Sequence, residues 1–98
     1  MRPISLSNDA CFPVATSIVE ALQRYINYGI MPGDFLTAVL ENNLSESVGR
    51  ADLANGRNLR NIVCYIREHV PSNAWGSPKI VMEYGFSRIQ LREKENGK

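Results

Sequence analysis

This chain has one histidine, one tryptophan and two cysteines among its 98 residues. Those scarcities narrow the chemistry open to it. A zinc site needs four closely held ligands, and Cys11, Cys64 and His69 do not supply them. Any Ser-His-Asp or Cys-His arrangement would have to use His69, which the sequence places near the end of a helix. There a protonated imidazole suits the negative end of the helix dipole. The carboxylates Asp9, Glu20, Asp34, Glu41, Glu46, Asp52, Glu68, Glu83, Glu93 and Glu95 show no spacing that marks an acid–base pair. Phosphate-loop and dinucleotide glycine patterns are absent. The expectation is a protein that is not an enzyme and carries no cofactor or metal.

Charge of one sign is also lacking. Lys plus Arg is 11 against 10 acids, a formal net charge of +1. That total is far from the basic excess of a nucleic-acid binder, although a local patch can sit inside it. No window approaches the roughly 20 apolar residues needed to span a bilayer, and no long apolar block follows Met1-Arg2-Pro3. The expected compartment is cytoplasmic, with Cys11 and Cys64 as free thiols in a reducing environment. There is no internal repeat and no low-complexity linker. Apolar residues at 44% and charged residues at 21% are ordinary for a packed fold, and the length suits one domain over 1–98.

Within that domain three stripes of helical period stand out. Val14, Ala15, Ile18, Val19, Leu22 and Ile26 fall within an arc of roughly 140° at 100° per residue. The first helix is therefore predicted to begin near Pro13, after an extended lead-in over 1–11, and to end at Gly29. Asp34, Phe35, Leu36, Val39 and Leu40 predict a short second helix over 34–42, with a further single turn from Ser45 before Gly49 breaks it. Asp52 is an N-cap for a third helix over 52–69, with Leu59, Ile62, Val63, Ile66 and Val70 as its stripe and Pro71 as its stop. Ser77-Pro78 opens a last element with Ile80, Val81 and Tyr84 on one face before Gly85. Phe86, Ile89 and Leu91 extend that helix or form a short strand. The charged segment 92–98 is expected to fray. The fold class is mainly α: a small bundle of three to four helices with, in one reading, a short C-terminal strand.

The candidate binding residues are arginines and exposed aromatics. Arg50 stands just before a helix N-terminus, where a guanidinium and backbone N–H groups can jointly hold an anion. The plainer reading is that Asp52 is only a cap and Arg50 pairs with it or with Glu46. On the solvent face of the third helix, Arg57, Asn61, Cys64 and Glu68 lie close together, flanked by Arg60 and Arg67. Arginine suits planar bidentate contact with carboxylate or phosphate. Cys64 on that face hints that it is partly covered, by this chain or by another. Trp75 in Trp75-Gly76-Ser77-Pro78 reads as a plug at the end of the core or as an interface anchor. Tyr28 sits at the edge of the first helix's apolar arc, where it can meet a partner.

The stretch from Pro32 to Ser77 resembles a group of small proteins encoded by phages, prophages and plasmids. The matching pieces are Pro32-Gly33-Asp34-Phe35-Leu36-Thr37-Ala38-Val39-Leu40, Gly49-Arg50-Ala51-Asp52, Ile62-Val63-Cys64-Tyr65 and Trp75-Gly76-Ser77. The resemblance implies no activity and no catalytic residues. It implies a setting in the host cell in which such proteins bind a host factor, host defence components included. The functional expectation is a stoichiometric binder that blocks a host protein or protein–nucleic-acid complex with an acidic surface, such as an anti-CRISPR-like inhibitor. A binder of a small anionic ligand such as a nucleotide is the alternative. A homodimer is also open; a membrane partner is not expected.

Overall fold

The computed structural model describes residues 5–97, with side chains through Leu91, as six α-helices and one 3-10 turn. The mainly α class stands, with six helices in place of three to four. No strand occurs among the described residues, and Phe86, Ile89 and Leu91 all lie on the last helix.

Helix α1 spans Thr16–Tyr28 and buries Ile18, Val19, Leu22, Tyr25 and Ile26, which is the apolar arc of its sequence. It starts later than Pro13. Ala15 is extended, and the Pro13 carbonyl is drawn away by a hydrogen bond from Asn58 Nδ2 at 3.0 Å. Its end is the expected one: Gly29 adopts φ +73 and donates its N–H to Tyr25 O at 2.9 Å. Helix α2, Asp34–Leu40, buries Phe35, Leu36, Ala38, Val39 and Leu40. Asn42 then takes a left-handed φ of 62, a conformation that asparagine tolerates better than most residues.

Two expected boundaries are corrected. Helix α3 covers Leu44–Arg50 and runs through Gly49 without a break; Asn43 caps it by accepting from Glu46 N at 3.1 Å. The expected single helix over 52–69 is two, α4 at Leu53–Arg57 and α5 at Leu59–His69. Asp52 does cap the first of these, accepting from Asn55 N at 2.7 Å. The break is at Asn58, whose φ of −103 and ψ of 12 leave the helical region. Its side chain is held by other partners, donating to Pro13 O and accepting from Asn61 Nδ2 at 2.7 Å. Side-chain hydrogen bonds of this sort are the reason asparagine competes with helix.

After the 3-10 turn Ser72–Ala74, helix α6 runs Pro78–Gly97. Ser77 Oγ accepts from Ile80 N at 3.2 Å, as a capping serine should. The charged segment from Arg92, expected to fray, forms the last turns of this helix up to Gly97; Lys98 lies outside the described residues. Gly85 does not end the helix either. It is buried where α1 ends against α6: a methyl on Gly29 would run into the Gly85 carbonyl oxygen, and one on Gly85 would lie 3.7 Å from Gly29 O.

The core joins α1, α2, α5 and α6. Of the stripe positions read from the sequence, Ile18, Val19, Leu22, Ile26, Phe35, Leu36, Val39, Leu40, Ile62, Ile66 and Val70 are buried, while Val14, Leu59 and Val63 are partly buried against them. Tyr25 and Tyr84 stitch α1 to α6 with rings 5.3 Å apart. Tyr25 donates its hydroxyl to Ala74 O at 2.7 Å, and Tyr84 donates to Ile26 O at 2.6 Å. Burial, helped by the nearby Tyr84, pushes the Tyr25 phenol far above its ordinary value.

The lead-in is ordered although it has no regular structure. Residues 5–15 form a strap that bridges α1 and α5, with Leu6, Phe12 and Val14 partly buried against the core. Leu6 N donates to Gln23 Oε1 on α1 at 2.8 Å. Ser7 O accepts from the Tyr65 hydroxyl on α5 at 2.7 Å. Residues 1–4 lie outside the described residues.

Candidate partner-binding face

Helix α5 carries residues of opposite kinds on opposite sides. At 100° per residue, Ile62, Tyr65, Ile66 and His69 point one way, and Arg60 and Arg67 point the other. The first set is buried or partly buried, and both arginines are exposed. Seven residues apart, the two guanidinium stems are separated by two turns, roughly 10 Å along the axis. Arg57 is exposed too, but the break at Asn58 places it on α4 and outside the α5 stripe. None of the three has an ion pair among the described residues.

Beside Arg57 the surface is apolar. Leu53 is 71% exposed and Val48 58% exposed. With Ala51, Asp52, Gly56 and Arg57 they line an open cleft of about 450 Å³. Exposed apolar side chains next to an unpaired guanidinium are the ingredients of a protein-binding surface, in which burial supplies energy and charge supplies orientation.

Arg50 stands apart from this group. It lies 3.5 Å from both Asp34 Oδ2 and Glu46 Oε2, so its charge is met within the chain. The hollow there is lined by Asp34, Glu41 and Glu46 as well as Arg50, an acid-rich wall for an anion to approach. Tyr28 is 42% exposed at the end of α1. Trp75 is partly buried against the core, and the N–H of Gly76 beside it donates to Leu40 O at 2.7 Å. Cys64 is half-buried, Cys11 is exposed, and both are free thiols.

No local pattern in the chain marks the site on the inner side of α5. His69 Nε2 donates to Asp9 Oδ2 at 2.8 Å, and the imidazole lies against the Tyr65 ring with centroids 4.4 Å apart. The other carboxylate oxygen of Asp9 accepts from Cys11 N at 2.8 Å. The hydrogen bond from His69, followed by that from Cys11 N, holds the Asp9 carboxyl below its usual range. Burial, then the Asp9 charge, raises the Tyr65 phenol. Asp9 and His69 are sixty positions apart, so no local spacing announces the pair. Leu53 and Val48 were findable, as apolar residues in the stretch between the second and third stripes.

Among the described residues, no three His, Cys, Asp or Glu side chains are grouped to hold a metal ion, and no helix is long and apolar enough to cross a membrane. Comparison with protein-family models, with curated proteins and with solved structures returns no match.

Proposed function

We propose that this chain is a non-enzymatic binding protein that docks the outer side of α5 onto an acidic surface of a host macromolecule and so blocks it. The observation that carries the reading is the set Arg57, Arg60 and Arg67: three exposed guanidinium groups without an ion pair among the described residues. The cleft edged by Val48 and Leu53 adds apolar area beside Arg57, the one of the three that lies on α4. Tyr28 and Trp75 are secondary contacts in this proposal, and Arg50, occupied by Asp34 and Glu46, shapes the neighbouring wall. Its acid-rich hollow weighs against the alternative of a small anion such as a nucleotide held at Arg50. In the phage, prophage and plasmid setting that the resemblance implies, the partner is a cytoplasmic component of host defence, and the chain acts as an anti-CRISPR-like inhibitor.

The test is capture from host lysate by the wild-type chain and by the Arg60→Ala/Arg67→Ala variant. The proposal expects one acidic partner retained by the wild type and lost by the variant, with unchanged melting temperature. Equal retention by both would remove the arginine face from the account.

A further inference from the structure

Helix α6 is apolar on two sides. Val81, Tyr84 and Gly85 are buried, and the last two meet the end of α1. At 100° per residue, Met82, Phe86 and Ile89 form a second stripe, turned roughly 110° from the first. Met82 is 66% exposed and Phe86 61%. Met31, also exposed, widens this stripe, since a methyl on Gly85 would lie 3.6 Å from its Sδ. Ile89 packs beside it against the turn at Gly29 and is partly buried there. A contiguous apolar stripe of this kind marks an interaction surface.

Lys79 and Glu83 edge that stripe on one flank. Both are exposed, and neither has an ion pair among the described residues. They stand one turn apart, but lysine before glutamate is the poorer order for pairing within a helix. We propose that this face of α6 docks onto the same face of a second copy of the chain, the two helices crossing antiparallel about a two-fold axis near Met82. Rotation about such an axis keeps each flank on its own side. Lys79 of one copy therefore comes to Glu83 of the other, and the contact is made twice.

The charges choose the occupant. A foreign surface of one sign, an anionic lipid layer included, would meet either Lys79 or Glu83 with like charge. The rotated copy meets both with opposite charge. The apolar stripe suits it as well: Met82 abuts its own counterpart at the axis, and Phe86 reaches toward Met82 of the second copy, a favourable thioether–ring contact. A stable pair takes roughly 800 Å² from each member, about an eighth of this chain's 6342 Å². The stripe supplies the apolar centre of such an area, and Lys79, Glu83 and the exposed Gln90 supply a polar rim. Arg57, Arg60 and Arg67 take no part, so this inference stands or falls apart from the arginine face.

The experiment is analytical ultracentrifugation of the full-length wild type, Lys79→Glu, Glu83→Lys, an equimolar mixture of those two variants, and Phe86→Asp. The wild type is expected to be in monomer–dimer equilibrium with a Kd below about 1 mM. Each single reversal sets like charges together and should weaken the dimer at least ~10-fold. The mixture restores opposite charges at both contacts and should return to within about 3-fold of the wild-type Kd. Phe86→Asp should be monomeric with unchanged helical circular dichroism; if it loses helix, Met82→Glu repeats the test at the axis. A wild type monomeric up to about 1 mM would overturn the proposal and give the stripe to a foreign partner. A mixture no tighter than its separate components would overturn it as well. So would a dimer indifferent to Phe86→Asp and Met82→Glu, which would use another face.

Discussion

On the side of α5 that faces the body, Ile62, Tyr65 and Ile66 are buried, and the two polar tips, Tyr65 and His69, are both engaged by the strap. On the other side, Arg60 and Arg67 stand in water without an ion pair among the described residues. A group already satisfied within the chain contributes to the fold and has little left to offer a partner. An exposed cation contributes almost nothing to folding, yet it becomes consequential once a partner strips its water away. One eleven-residue helix thus separates the residues that hold the molecule together from those free to meet another.

That contrast can be broken from the inner side first. Ile62→Ala should have the largest effect, about 2–5 kcal/mol of stability, because the side chain is 1% exposed and leaves a cavity in the core. Urea unfolding would read it, and a loss below about 1 kcal/mol would mean that the site collapses freely. Tyr65→Phe keeps the ring and removes only the hydroxyl bonded to Ser7 O. It should cost about 0.5–1.5 kcal/mol, with amide exchange faster in the strap than in α1. Uniform acceleration across both would show that strap and body open together.

Acid probes the clasp between them. The folded Asp9 carboxyl lies below its ordinary value near 3.8, so its contribution is present above that value and is lost as pH falls through the folded one. The Leu6 and Cys11 amides should lose protection at that point, before the α1 amides do, in exchange measurements at stepped pH. The phenol of Tyr65 has the opposite sign: raised in the fold, it contributes fully below the ordinary value near 10 and loses that contribution as pH rises further. Base should therefore loosen the same strap by a second route.

Legibility in the sequence followed the range of the interactions. The Gly29 terminus, the Asp52 cap and the Ser77 cap each depend on residues within four positions, and each was readable from type and spacing. The buried stripes of α1, α2 and α5 were readable for the same reason. The break at Asn58 was not, because its side chain is drawn to Pro13, forty-five positions earlier. Whether the last helix continues past Gly85 was not readable, because Gly85 is the point where the end of α1 presses on α6, a fact of packing that no helical period contains. Of the candidate site, the exposed arginines could be placed from the α5 stripe. Arg50's tie to Asp34, and the Asp9–His69 clasp, required the folded chain.

The smallest effect on stability belongs to the outer side. Arg60→Ala and Arg67→Ala should each leave stability within about ±0.5 kcal/mol, as expected for exposed positions. The most direct test of the account reverses both charges at once, Arg60→Glu/Arg67→Glu, and measures the Kd for the captured partner alongside the melting temperature. The account predicts an unchanged melting temperature and a loss of at least about 2–5 kcal/mol in binding, since each arginine would be desolvated against an acidic group. Binding that survives the reversal, or a fold that melts early because of it, would contradict the claim that this side of α5 exists to meet a partner.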